Sequence, residues 1–361
     1  MRSFTCHCGN KLYFENSVCH ACKRKLGFLP DENSMSALEP EGDNRYRAML
    51  NGRIYRTCKN YHEFEVCNWM VADDSPEQLC QSCELTEAIP DLTEPGNIKL
   101  WYRIEKAKRR LLYTLKTLGL PVEGRKTDPV GGLTFRFLAD DPARSEFADE
   151  VVPGGQVMTG HITGTITINL AEADPSTREE TREKMNESYR TLLGHFRHES
   201  GHFYWEKLVR DTDWITEYRK LFGDETRDYQ GALQLYYSQG PIATWQTSWI
   251  SAYASAHPWE DFAETWAHYL HMIDTLETAN DYGFSVRGQD AVSAAGDEKF
   301  TAAYLASLSL EDLLDDWVSL TDALNAMNRS MGLPDAYPFY LSDHVRSKID
   351  MIHRLVQASR T

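Results

Sequence analysis

The sequence lacks the features that mark membrane, secreted and disordered proteins. No apolar run approaches the ~18 residues that a membrane-spanning helix needs. The first ten residues, MRSFTCHCGN, contain no apolar stretch of the kind found in secretory signal peptides. We therefore expect a cytoplasmic protein with no membrane partner. The composition, with 42% apolar and 25% charged residues, is typical of a folded globular protein.

Positive charge is also scarce. The chain has 38 Lys and Arg against 54 Asp and Glu, which gives a formal net charge of −16. Such a chain is a poor general binder of phosphate backbones, so a nucleic-acid partner is not expected.

Cysteine is absent from the 278 residues that follow Cys83. The eight cysteines form two closely spaced quartets, which are Cys6, Cys8, Cys19 and Cys22, and then Cys58, Cys67, Cys80 and Cys83. Cysteines one or two residues apart can present both sulfurs to one tetrahedral ion, whereas a disulfide between them would be strained. We therefore predict two structural zinc sites. A Cys3His variant that uses His7 or His20 stays open, as does ligand pairing between the quartets.

Charge and cysteine together predict two domains. Residues 1–60 hold ten Lys and Arg against six Asp and Glu, so the remaining 301 residues carry a net charge of −20. A small domain with little apolar periodicity depends on metal ions for its stability. We place a zinc-ribbon-like domain at residues 1–92, with the polar stretch 31–45 as a linker between its two sites. A second domain is placed at residues 97–361.

The second domain is predicted to be α+β, mostly helical with a small sheet. Residues 101–120 have helical periodicity. The basic residues of this predicted helix are expected on a solvated face; they are Lys106, Lys108, Arg109 and Arg110. Residues 161–170 alternate as in a β-strand, and a long helix is predicted from residue 175 to about residue 210.

That helix carries the strongest chemical signal in the chain, the HExxH motif His198-Glu199-Ser200-Gly201-His202. Histidines at i and i+4 share one helix face, so both imidazoles can reach one zinc ion. Glu199 is placed to act as the general base toward a zinc-activated water. The competing interpretation is a metal-free helix face, because His195 lies on the same face.

A second helix, beginning at Pro258, offers the third ligand. Glu260 and Glu264 are one turn apart on it. We predict Glu260 as the ligand of a His2Glu site, which leaves one position for water. Glu264 is then expected to accept the ring N–H of a ligating histidine. Glu264 in place of Glu260, or His268, stays open as the third ligand.

These residues resemble gluzincin-type metallopeptidases, and in particular the catalytic domain of anthrax lethal factor. There a tyrosine stands seven residues before the ligand glutamate of an E-x-F-A-E stretch. Here Tyr253 stands seven residues before Glu260, within Glu-Asp-Phe-Ala-Glu. The resemblance implies that Tyr253 donates a hydrogen bond to the oxyanion that forms during peptide hydrolysis.

A second resemblance covers nearly the whole chain. The segments CHCGNKLYFEN, LCQSCELTEAIPDL, HFRHESGHFYW and EDFAETWAHYLH are similar to the bacterial family called putative zinc-binding metallopeptidases. Its members pair an N-terminal zinc ribbon with an HExxH domain. The resemblance implies a cytoplasmic bacterial protein with a zincin-like fold and one catalytic zinc in addition to two structural ones.

The function expected from the sequence is that of a zinc metallopeptidase acting on a protein or peptide substrate, with the ribbon available to a protein partner. Two alternatives stay open. One is a ribbon module that binds protein or nucleic acid beside a catalytically idle HExxH domain. The other is a zinc amidohydrolase that acts on a non-peptide amide.

Overall fold

The computed structural model describes residues 2–140, 151–152, 156–185, 190–284 and 301–360. The chain packs as two compact units. The first comprises Met1–Tyr113 and Val122–Leu193, and the second comprises Thr114–Pro121 and Gly194–Thr361. Within the described ranges, no helix is both long enough and apolar enough to cross a membrane. The predicted domain boundary between residues 92 and 97 stays a prediction.

The first unit contains the β-structure. Its strands are β1 (Phe4–Thr5), β2 (Lys11–Leu12), β3 (Leu26–Leu29), β4 (Ser34–Gly42), β5 (Arg45–Ala48), β6 (Ile54–Thr57), β7 (Met70–Ala72), β8 (Thr86–Ala88), β9 (Thr134–Leu138), β10 (Val151–Val152), β11 (Gln156–Val157), β12 (Gly160–Ile162) and β13 (Thr165–Asn169). Strands β3 to β7 pair in sequence order as an antiparallel sheet. A second sheet has the order β12-β13-β9-β8, in which β9 runs parallel to both of its neighbours. Two short hairpins, β1-β2 and β10-β11, stand apart from these sheets.

Helices dominate the second unit. The helices of the chain are α1 (Lys59–Phe64), α2 (Asn97–Thr117), α3 (Pro175–Met185), α4 (Leu192–Leu208), α5 (Trp214–Leu221), α6 (Tyr229–Gln239), α7 (Pro258–Asp281), α8 (Ala302–Leu305), α9 (Leu310–Ser330) and α10 (Asp343–Ala358). Their starts follow capping chemistry: Ser309 and Ser342 each accept a backbone N–H of the first turn. Helices with small sheets confirm the predicted α+β class.

Each unit has its own aromatic core. In the first unit Phe28 packs against Phe14 and Trp69, with ring centroids 5.0 and 4.7 Å apart. In the second unit, α7 buries Phe262 and Trp266 with stacked rings 6.3 Å apart. Such packed cores give each unit rigid elements on which its predicted metal ligands can be held.

The linker predicted at residues 31–45 is wrong. This stretch forms β4 and the first residue of β5, and Met35, Ala37 and Leu38 are buried in the sheet. The polar residue between them is satisfied, because the buried Ser36 hydroxyl accepts the N–H of Leu50 at 3.1 Å. The turn-rich composition concealed a strand whose first half is buried and whose second half is exposed.

The solvated basic face predicted on α2 is also wrong for two of its four residues. Lys108 is fully buried, and its Nζ donates to the carbonyl of Ser82 at 2.9 Å and lies 2.9 Å from Glu105 Oε2. Arg109 is buried as well, and donates to the carbonyl of Val66 at 2.6 Å. Buried charges persist only when they are paired in this way.

Two other predicted elements are each two elements in the structure. Residues 161–170 form the hairpin β12-β13 instead of one strand, because Thr163 and Gly164 adopt positive φ values of 44° and 79°. The helix predicted from residue 175 to about 210 is two helices, since α3 ends at Met185 and α4 begins at Leu192.

Candidate metal centres

The first unit brings each cysteine quartet together as predicted. Within each quartet the four sulfurs lie within 4.8 Å of one another. The Sγ–Sγ distances are 3.8 Å for Cys6 and Cys22 and 3.7 Å for Cys67 and Cys80. A tetrahedral zinc ion with Zn–S bonds of ~2.3 Å requires sulfurs about 3.8 Å apart, so both quartets fit a zinc ion. The ligands are not interleaved between the quartets, and His7 and His20 belong to neither cluster.

Tight turns position the sulfurs of the first quartet. Gly9, with φ of +85°, donates its N–H to the carbonyl of Cys6 at 2.8 Å, and Lys23, with φ of 62°, donates to Cys19 at 2.9 Å. The backbone N–H of Arg24 lowers the pKa of the Cys22 thiol to about 6. Cys8 is exposed, so this quartet borders solvent.

The second quartet is closed. All four of its cysteines are buried, and the backbone N–H groups of Trp69 and Cys80 each lie 3.4 Å from a sulfur. Burial raises the pKa of the Cys67 thiol, but the neighbouring cysteines and the charge of Arg109 outweigh burial and hold it well below its usual range. Four thiolates around Zn²⁺ carry a formal charge of about −2, so the buried Arg109 compensates part of that charge.

The second unit assembles the third cluster from α4 and α7. The two helices approach closely at Gly201, where an added Cβ would lie 2.7 Å from the Cα of Ala263. The indole N–H of Trp266 donates to Ser200 Oγ at 3.1 Å across the same contact. Only a glycine at position 201 allows this approach, which brings the HExxH motif against Glu260.

The donor atoms converge at this contact. His198 Nε2 lies 3.0 Å from Glu260 Oε2, and His202 Nε2 lies 3.5 Å from Glu260 Oε1. One donor atom from each of these three residues falls within a 4.8 Å cluster. Two imidazole nitrogens and one carboxylate oxygen are the donor set of a zinc site with an open fourth position, so the residues fit a zinc ion.

Glu264 occupies a different position from Glu260. Its Oε1 lies 2.7 Å from His198 Nδ1, on the ring nitrogen that faces away from Glu260, and its Oε2 accepts the hydroxyl of Ser251 at 2.6 Å. His268 Nδ1 instead lies 2.8 Å from the hydroxyl of Tyr337. This geometry favours Glu260 as the third ligand, with Glu264 orienting the ring of His198.

Glu199 is the buried carboxyl beside this cluster. Its Oε2 has no hydrogen-bond partner among the residues that the structure describes. Burial raises the pKa of Glu199. Burial also raises the pKa of Glu260, but the imidazoles of His202 and His198 outweigh burial and hold it well below its usual range. The two carboxyls therefore differ in basicity, as a base and a ligand should.

Two tyrosines border the cluster. The ring of Tyr253 lies 6.0 Å from that of His198, which places it beside the predicted zinc ligands, and burial raises the pKa of its hydroxyl. Tyr229, on α6, donates its hydroxyl to Glu260 Oε1 at 2.6 Å. Sequence reasoning missed Tyr229, because no motif spacing links a tyrosine 31 residues upstream to Glu260.

Comparisons with known proteins agree with this geometry. A family model described as "putative zinc-binding metallo-peptidase" matches residues 97–355, and a zinc-ribbon domain model matches residues 3–94. Three relatives, from Mycobacterium bovis and two strains of Mycobacterium tuberculosis, are each named an uncharacterized protein. Each is 40% identical over 358 residues, which is 99% of this chain and 95% of the relative. No solved structure matches the chain.

Proposed function

The chain belongs to the putative zinc-binding metallo-peptidase family and carries an N-terminal zinc ribbon, and from this we propose that it is a zinc-dependent peptidase. The observation that carries the proposal is the buried, unpartnered oxygen of Glu199 beside the His198, His202 and Glu260 cluster. Leaving a buried carboxylate oxygen unpaired is costly. A site that only held metal would not need it.

His198, His202 and Glu260 would hold the zinc ion. When bound, zinc would supply Lewis acidity, which polarises the scissile carbonyl and lowers the pKa of a water molecule. Glu264 and Ser251 fix the ring of His198 through its Nδ1 side. The ligand geometry is therefore held by hydrogen bonds before substrate arrives.

The chain's own groups account for the proton transfers. Glu199 takes the proton of the attacking water, and its burial raises its pKa toward the range in which a carboxyl accepts and releases protons near neutrality. The same carboxyl then gives the proton to the leaving amine. Tyr253 keeps its hydroxyl protonated because its pKa is raised, so it is available to donate to the developing oxyanion.

The test is hydrolysis of a peptide library, read by mass spectrometry, with wild type and Glu199→Gln. We expect wild-type cleavage and a loss of about 10²–10⁴-fold in the variant, with zinc content unchanged. Glu206→Gln, on the same helix, is the matched control and should keep wild-type activity. Equal cleavage by Glu199→Gln and wild type would exclude Glu199 as the base.

The same library, supplemented with small non-peptide amides, separates the remaining hypotheses. An idle HExxH domain beside a protein-binding ribbon predicts no cleavage by any variant at full zinc content. An amidohydrolase predicts cleavage of small non-peptide amides and indifference to peptide length.

A further inference from the structure

The segment from α6 to the start of α7 has an unusual surface. Residues 229–259 contain no Asp, Glu, Lys or Arg, in a chain in which 25% of residues are charged. Helix α6 contains no buried residue. Leu235, Tyr237 and Ile242 are exposed by 55%, 59% and 52%. A surface helix usually turns charged residues to solvent and apolar ones inward, so exposed apolar side chains without charge indicate a binding surface.

This apolar surface is continuous with the candidate metal centre. The first residue of α6, Tyr229, donates to Glu260 at 2.6 Å, and its ring lies 5.6 Å from that of Trp259. The ring of Tyr236, two turns later, lies 5.6 Å from that of Tyr253. Leu235 and Tyr237 are the immediate neighbours of Tyr236. The exposed apolar side chains therefore begin where the proposed oxyanion donor is held.

We propose that α6 and the segment after it, through Ile242, bind the substrate, and that the substrate is a peptide segment with apolar, uncharged side chains. The inference rests on the proposed peptidase function. An apolar side chain that leaves water on this surface gains free energy in proportion to the area buried. A charged side chain there would lose hydration without gaining a counter-ion.

The polar groups of the surface fit the same substrate. Gln230, Gln234 and Gln239 on α6 are exposed, and an amide side chain both donates and accepts hydrogen bonds. Such groups can pair with the N–H and C=O of an extended peptide backbone without selecting a charge. Specificity then comes from the apolar side chains alone.

The test measures binding separately from cleavage. Zinc-loaded Glu199→Gln protein is titrated, by fluorescence anisotropy, with three dye-labelled peptides capped at both ends. The first contains Leu, Phe, Ser and Gly; in the second and third, Leu and Phe are replaced by Asp or by Lys. We expect the apolar peptide to bind at least about tenfold more tightly than the other two. The further double substitution Leu235→Ser with Ile242→Ser should lower the affinity for the apolar peptide about tenfold.

Three controls keep the result interpretable. Leu235→Met should retain binding, since it preserves the apolar area. Met331→Ser, at a residue exposed by 66%, should change nothing. Zinc content and unfolding temperature of each variant show that the fold is intact.

The outcomes distinguish this inference from the proposed function. If the apolar peptide binds through α6 but wild type never cleaves it, the inference stands and the peptidase proposal fails. If wild type cleaves all three peptides alike and the double variant is indifferent, the peptidase proposal stands and the inference is overturned. If the double variant changes only the oligomeric state, the surface serves a second copy of the chain, and the inference is overturned.

Discussion

The two cysteine quartets and the His2Glu cluster offer a zinc ion two different sets of ligands. Each quartet supplies four sulfurs within 4.8 Å, which fill a tetrahedral ion completely. The cluster on α4 and α7 supplies only three donor atoms, and a buried carboxyl, Glu199, lies beside it with an unpartnered oxygen. A zinc ion with four protein ligands contributes to folding, whereas a zinc ion with three protein ligands and a base beside it can activate a water molecule.

The charged residues near the second quartet also differ from those near the His2Glu cluster. Beside the second quartet lies the buried Arg109, whose positive charge lowers the pKa of the Cys67 thiol. Around the His2Glu cluster the nearby charges are further carboxyls, among them Glu264 on His198. Positive surroundings stabilise a closed anionic site, and negative surroundings raise the basicity of ligating histidines.

The largest loss of stability is expected from substitution of a zinc ligand in the buried second quartet. Cys67→Ser should abolish zinc binding at the second quartet and unfold the sheet around it, a loss of several kcal/mol, because structural zinc contributes directly to folding. Thermal unfolding followed by circular dichroism would measure this. Cys8→Ser, at the exposed position of the first quartet, should cost less. Equal losses would show that burial does not distinguish the two quartets.

The zinc affinity of the His2Glu cluster should depend on pH. In the metal-free protein, burial lowers the pKa of His198, but Glu260 and Glu264 outweigh burial and raise it well above 6.5. This pairing stabilises the metal-free second unit below the unfolded pKa, and the stabilisation is lost as pH rises through the folded pKa. Zinc must displace that proton, so its affinity for this site should rise up to about tenfold per pH unit through this range. Titration with a competing chelator tests this; a flat profile would contradict the His198 pairing.

The smallest effect is expected for the hydrogen bond between Tyr229 and the predicted zinc ligand Glu260. Tyr229→Phe removes the hydroxyl that holds Glu260 Oε1 at 2.6 Å, and loss of such an outer partner typically lowers metal affinity about tenfold. Competition titration of the His2Glu zinc measures it. Tyr340→Phe is the control, since Tyr340 is exposed by 70%. Unchanged affinity in Tyr229→Phe would mean that Glu260 is held without it.

Prediction from sequence succeeded where the chemistry is local. The cysteine quartets and the HExxH pair place their donors by spacing within one turn or one helix face, and the structure brings both together. Glu260 was predicted because it stands in the first turn of a helix whose start is marked by Pro258, and the structure places it with His198 and His202. Assignment to the peptidase and ribbon families confirms the resemblance carried by these segments.

Prediction failed where a distant partner decides the environment. The burial of Lys108 depends on the carbonyl of Ser82, and that of Arg109 on the carbonyl of Val66, 43 residues away. Tyr229 acquires its role only when α6 reaches Glu260. A helical pattern reports which faces are apolar, but not which charged residue finds a buried acceptor.

The contrast between two closed sites and one open site is tested most directly by zinc per chain. Elemental analysis of protein purified without added metal should give three zinc ions in wild type and two in the double variant His198→Ala with His202→Ala, with the circular dichroism spectrum retained. Two ions in both proteins, with no gain on adding zinc, would contradict the account, because the His2Glu cluster would then hold no metal.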